Sequence, residues 1–64
     1  MCQATVILNG VEYMRDVLRV VPVPEGVQLT AFFETPRTVP AVIREIDLIK
    51  HRVVLESIEA EEEA

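Results

Sequence analysis

Hydrophobic and polar residues alternate with a period of two along most of this chain. In VQLTAFF, Val27, Leu29, Ala31 and Phe33 share one face, while Gln28 and Thr30 share the other. That alternation predicts a strand buried on one side. CQATVIL reads the same way, with Cys2, Ala4, Val6 and Leu8 on a common face. Asn9-Gly10 follows, and both residues tolerate the positive φ of a two-residue hairpin turn. Such a turn places Leu8 opposite Val11 and Val6 opposite Tyr13. DVLRVVPV is a further β-rich run, but Pro22 and Pro24 cannot donate to a ladder, so it ends there or lies at an edge. Pro24-Glu25-Gly26 marks a turn. TPRTVP reads as a loop or a short irregular strand.

The second half carries AVIREIDLI and RVVLESI. A turn at Lys50-His51 sets Leu48 against Val53 and Ile46 against Leu55 on the inner side. Outside, Asp47 falls opposite Val54 and Glu45 opposite Glu56, the last a like-charge pair. Strands are therefore expected at about residues 2–8, 11–21, 27–33, 41–49 and 52–58. The expected inner face is Val6, Leu8, Leu29, Phe33, Ile46, Leu48, Val53 and Leu55. No helix of ordinary length is readable. About five short strands imply an all-β, barrel-like sheet, because a flat sheet would expose its edges. One domain over residues 1–58 accounts for this pattern. The acidic EAEEEA of 59–64 reads as a frayed, solvated tail.

Composition narrows the options. At 64 residues the chain buries only ~60% of its unfolded surface, and such scaffolds commonly rely on a disulfide, a metal or a partner subunit. The single cysteine excludes an intrachain disulfide. Half the residues are hydrophobic, enough for a core with surface left for an interface. A homodimer is expected, with Phe32 as the candidate interface or outer-face residue. No apolar run approaches the ~20 residues of a membrane span. The start has no signal-peptide pattern, so a reducing cytoplasm is the expected location. The net charge of −5 disfavours RNA or DNA as main partner.

Catalytic constellations are absent from the pattern. There is no Gly-rich phosphate loop and no Ser-His-Asp arrangement, so the chain is not expected to be an enzyme. His51 reads as a turn residue, and Glu45 and Asp47 as a solvated strand face. Cys2 is different. Removal of Met1 would leave an α-amine (pKa ~7.8) and a thiol (pKa ~8.5) on one residue, which a metal can deprotonate and chelate. Such N,S donors suit Ni(II) or Cu(II) in a planar site and zinc or Cu(I) in a tetrahedral one. One chain supplies two ligands, and two chains would supply four. On residue chemistry alone, a buried structural cysteine stands beside this reading.

The Met1-Cys2 start with ATVIL, DVLRV before Pro-Glu-Gly, and above all AVIREIDLIKHRVVLE resemble the CooT family of small nickel-binding proteins. The resemblance spans nearly everything except the acidic tail. It implies a cytoplasmic homodimer of β-rich subunits holding one Ni(II) through Cys2 of both chains. It also implies a role in nickel delivery, storage or sensing, with a nickel-enzyme maturation client. Members of the family have been labelled RNA-binding proteins as well. The competing reading is a small β-barrel that binds RNA or a protein client, with Cys2 structural. Its cations would be Arg15, Arg19, Arg37, Arg44, Lys50 and Arg52. HypC-type hydrogenase maturation chaperones share the Met-Cys start but carry an early proline, and the first proline here is Pro22.

Overall fold

The computed structural model describes residues 3–58. The expected position of Cys2 on the first strand and the expected frayed tail lie outside them. The fold is all-β, as the alternation predicts, with six strands rather than five. They are β1 (Ala4–Leu8), β2 (Val11–Val23), β3 (Gly26–Ala31), β4 (Arg37–Val39), β5 (Ala41–Asp47) and β6 (Arg52–Ser57). They form one sheet in the order β4-β3-β2-β1-β6-β5. The extra strand is β4, inside the stretch read as a loop or short strand. It lies antiparallel to β3.

The sheet curls until β5 comes back against β3, although three strands separate them in the sheet. Gly26 makes part of this approach possible. A Cβ there would sit 2.0 Å from the Val39 carbonyl oxygen, at a φ of +150°. The Ile58 N–H donates to the Pro40 carbonyl at 3.0 Å, holding the chain after β6 to the β4–β5 link. Asn9 ties the first hairpin to β6. Its N–H donates to the Leu55 carbonyl at 3.1 Å, and its Oδ1 accepts from the Ser57 N–H at 3.0 Å.

The core gathers on the concave face. Val6, Met14, Val17, Val27, Leu29, Ala31, Val39, Ala41, Val53 and Leu55 are buried, and among the described residues no polar side chain is buried with them. Leu8 packs against this cluster only in part. Three residues expected inside are outside. Phe33 is fully exposed because β3 stops at Ala31. The Glu34 N–H closes a turn onto the Ala31 carbonyl, and Phe33 occupies its third position at φ +53°. Phe32 is also exposed and stacks on Phe33, with 5.6 Å between ring centroids. Leu48 lies in the β5–β6 loop, and Ile46 stands at the sheet rim opposite Val53.

Bulges explain the remaining differences in register. The Asn9-Gly10 turn sets Leu8 opposite Val11 as expected, with φ values of 53° and 84°. Beyond it, β2 gains one residue at Tyr13 and another near Asp16, whose φ is +55°. Val6 therefore faces Met14 rather than Tyr13, and Tyr13 turns outward. A bulged residue bends its strand and increases the local twist, which helps a sheet this small curl.

The second hairpin closes through a four-residue loop, Leu48–His51, rather than a two-residue turn. Ile46 faces Val53, Asp47 faces Arg52, and Glu45 faces Val54. A bulge at Arg44 then sets Ile43 opposite Leu55. The expected Glu45–Glu56 clash is avoided, because this register sets Glu56 opposite Val42, and Arg44 pairs with the Glu56 carboxylate.

β2 also runs past Pro22, which faces Val27 of β3. Its pairing with β1 ends at Val17, so its far half has β3 as its only strand partner among the described residues. Proline is tolerated on such an edge.

Candidate functional site

β1 and β6 run parallel, Thr5 beside Arg52 through Leu8 beside Leu55. Parallel pairing brings the start of β1 and the loop that feeds β6 to the same end of the sheet. The Thr5 N–H donates to the His51 carbonyl at 2.9 Å, which fixes that end. A cleft of about 150 Å³ opens there. Gln3, Ala4, Asp47, Leu48, His51 and Arg52 line it together with the apolar Val17, Leu18, Val20, Ile46 and Val53.

Asp47 shapes the loop. Its Oδ1 accepts the Lys50 N–H at 3.0 Å and the Ile49 N–H at 3.1 Å. The Lys50 N–H bond is the main reason its carboxyl is held below the usual value of 3.8, aided by the Ile49 N–H and the charges of Lys50 and Arg52. This is an aspartate turn, in which a side chain replaces a backbone acceptor. Asp47 thus has a structural use, and Glu45 stands exposed opposite Val54.

His51 is a turn residue, as the sequence implies, at φ +53°. It is also a wall of the cleft that contains Gln3, a neighbour no sequence spacing announces. Cys2, the candidate metal ligand, lies outside the described residues, one peptide unit before Gln3. Among the described residues no group of three or more His, Cys, Asp or Glu side chains comes together.

A larger groove of about 410 Å³ lies between the β2–β3 hairpin and β5. Its walls are almost entirely apolar, including Pro22, Val23, Pro24, Val42, Ile43 and Ile58. Three of the arginines are engaged by side-chain partners. Arg15 pairs with Glu12 at 2.6 Å and Arg44 with Glu56. Arg37 donates to the Tyr13 hydroxyl at 3.3 Å, with its guanidinium 5.6 Å from the ring centre. Among the described residues no helix is long and apolar enough to cross a membrane.

The architecture defines a small, single-sheet, all-β protein, with a cleft of mixed polar and apolar lining where its first strand begins. The chain belongs to the CooT family: the family model for the CO dehydrogenase accessory protein CooT matches residues 1–56. A crystal structure described as a "putative CooT" from Carboxydothermus hydrogenoformans superposes with a TM-score of 0.77. The two are 28% identical over 88% of this chain and 97% of the other. Comparison with curated proteins gives no match.

Proposed function

We propose that this protein binds nickel and is not an enzyme, holding one Ni(II) per homodimer through Cys2 of both chains. It serves in the cytoplasm to deliver, store or sense the metal for the maturation of a nickel enzyme. The observation that carries this reading is the family match, which begins at residue 1 and so includes Cys2, to a protein described as an accessory of CO dehydrogenase. The donor chemistry fits. The α-amine and thiolate of a terminal cysteine suit a late first-row metal, and an imidazole stands in the cleft beside Gln3. Dimerisation at the same end is supported by Leu48 and Ile49, which are 77% and 90% exposed. Two-fold symmetry would bring both cysteines to one ion.

Native intact mass and nickel titration test this together. The expected species is a dimer lacking Met1 with one nickel. Cys2→Ser should lose the thiolate-to-nickel charge-transfer band and most of the affinity while keeping the β-sheet signature. Unchanged affinity and stoichiometry in Cys2→Ser would make Cys2 structural. The second reading, an interaction module for a protein client, draws support from the apolar groove of about 410 Å³. Its mark would be client capture that is independent of both nickel and Cys2.

A further inference from the structure

We infer that the apolar groove between the β2–β3 hairpin and β5 receives an extended segment of a client protein, with apolar side chains flanked by lysine or arginine, added as a strand to the free edge of β5. The inference rests on the client reading above and needs no metal. The backbone supplies the first observation. β5 is the outermost strand of the sheet, and its only ladder among the described residues is with β6. Alternate N–H and C=O groups of Ala41–Asp47 therefore face outward without a strand partner. The second observation is the groove itself, of about 410 Å³. Val42 and Ile43 of β5 form one wall, with Pro22, Pro24 and Val27 across from them. Every described residue that lines it is apolar or glycine, and Val42 and Ile58 are 38% and 45% exposed.

The charge at the rim decides the chemistry of the occupant. Glu25 is exposed in the β2–β3 turn, between the wall residues Pro24 and Gly26. Arg44, the cation of β5, is already taken by Glu56, which faces the wall residue Val42. Ile58, another wall, is followed in the sequence by EAEEEA, with its four glutamates. Six residues reach no more than about 20 Å, so this charge stays near the groove in any conformation. The charge around the groove is thus negative, and a positively flanked segment is its complement. The glutamate tail is a poor occupant, because a carboxylate loses its hydration in an apolar cleft. A second copy seated by two-fold symmetry would bring two acidic rims together. An added strand meets both features at once: its backbone bonds to the edge of β5, and alternate side chains enter the groove.

The test uses the full chain and a synthetic peptide, KKVTVTVKK, read by amide chemical shifts and amide hydrogen exchange. Two control peptides carry glutamate in place of every lysine, or serine in place of every valine. The expected shifts centre on Val23, Gly26 and Ala41–Ile43, and fast-exchanging amides of β5 gain protection. Both controls should bind more weakly by about tenfold or more. Val42→Lys should weaken the peptide by about tenfold or more, because it sets a like charge in the groove wall. The new lysine faces Glu56, a favourable cross-strand pair, so the sheet is kept. Glu25→Gln, at an exposed turn, should cost a smaller factor of about two to five. Equal binding of the glutamate peptide at the groove would overturn the inference and leave the client reading standing. No binding by any of the peptides at millimolar concentration would overturn both. Unchanged affinity in Val42→Lys would move the peptide off the groove and overturn the inference. Shifts at the groove that grow with protein concentration alone would assign it to a second copy, with the same consequence.

Discussion

The two hairpins next to β1 and β6 reach similar geometry by opposite means. The first turns on Asn9-Gly10, two residues whose own conformational freedom creates the bend. The second turns on Leu48–His51, where no residue is a strong turn former and two are large and apolar. There Asp47 bends the loop from outside, by accepting two of its N–H groups. A turn written in backbone preference is robust and chemically bare. A turn held by a side chain can carry other residues on its surface, and this loop carries Leu48, Ile49 and His51 to the end of the sheet where β1 starts.

Leu55 is where the two hairpins meet. It lies beside Leu8, opposite Ile43, and its carbonyl receives the Asn9 N–H. Leu55→Ala should therefore weaken both at once. A buried Leu→Ala change costs about 2–5 kcal/mol. Stability for a domain of this size is roughly 3–10 kcal/mol, so thermal or urea unfolding should show a large loss of midpoint, approaching collapse of the fold. A change confined to one hairpin's amide-exchange protection would show that the two fold independently.

The next change separates the hairpins. Gly10 sits at φ +84° with open space where a Cβ would go, so Gly10→Ala meets only the backbone penalty. That penalty is about 1–2 kcal/mol. The same substitution logic runs backwards in the other loop: His51→Gly relieves a positive φ and should leave the unfolding midpoint nearly unchanged. Chemical denaturation of the two variants measures the difference. A larger loss in His51→Gly than in Gly10→Ala would mean that the imidazole itself stabilises the apo-protein.

The smallest expected effect is a pH dependence unique to the second hairpin. Asp47 has its carboxyl held below 3.8 in the folded protein, chiefly by the Lys50 N–H. With the folded pKa below the unfolded one, its stabilisation is full above the unfolded value. It fades as pH falls through the folded pKa. Amide exchange at Ile49 and Lys50 should accelerate in acid before exchange at Gly10 does, and Asp47→Ala should abolish that difference. Equal acid sensitivity at both turns would show that the loop keeps its shape without the carboxylate.

Much of this was readable from residues near one another. The Leu8–Val11 pair followed from Asn9-Gly10, and burial of Val27, Leu29 and Ala31 followed from strict alternation. The inward placement of Phe33 failed because alternation says which side a residue faces, not where a strand stops. Leu48 failed likewise, because Asp47 ended β5 one residue before it. The Val6–Tyr13 pairing failed at a bulge, which costs one residue and leaves no mark in a period-two pattern. Cys2 stood out as the lone thiol beside Met1. The cleft lined by Gln3 and His51 did not, because these residues meet only through a parallel strand pair that no local signal announces.

By itself, the sequence determined that this is an all-β chain with a hairpin at Asn9-Gly10, an acidic balance and one thiol, because propensity, turn chemistry and charge are properties of residues and their neighbours. It also carried the stretches that resemble the CooT family. Only the tertiary structure decided the strand order β4-β3-β2-β1-β6-β5, the curl that sets β5 against β3, and the company His51 keeps. Those depend on how the whole apolar face is buried, and no segment of the chain can specify that alone.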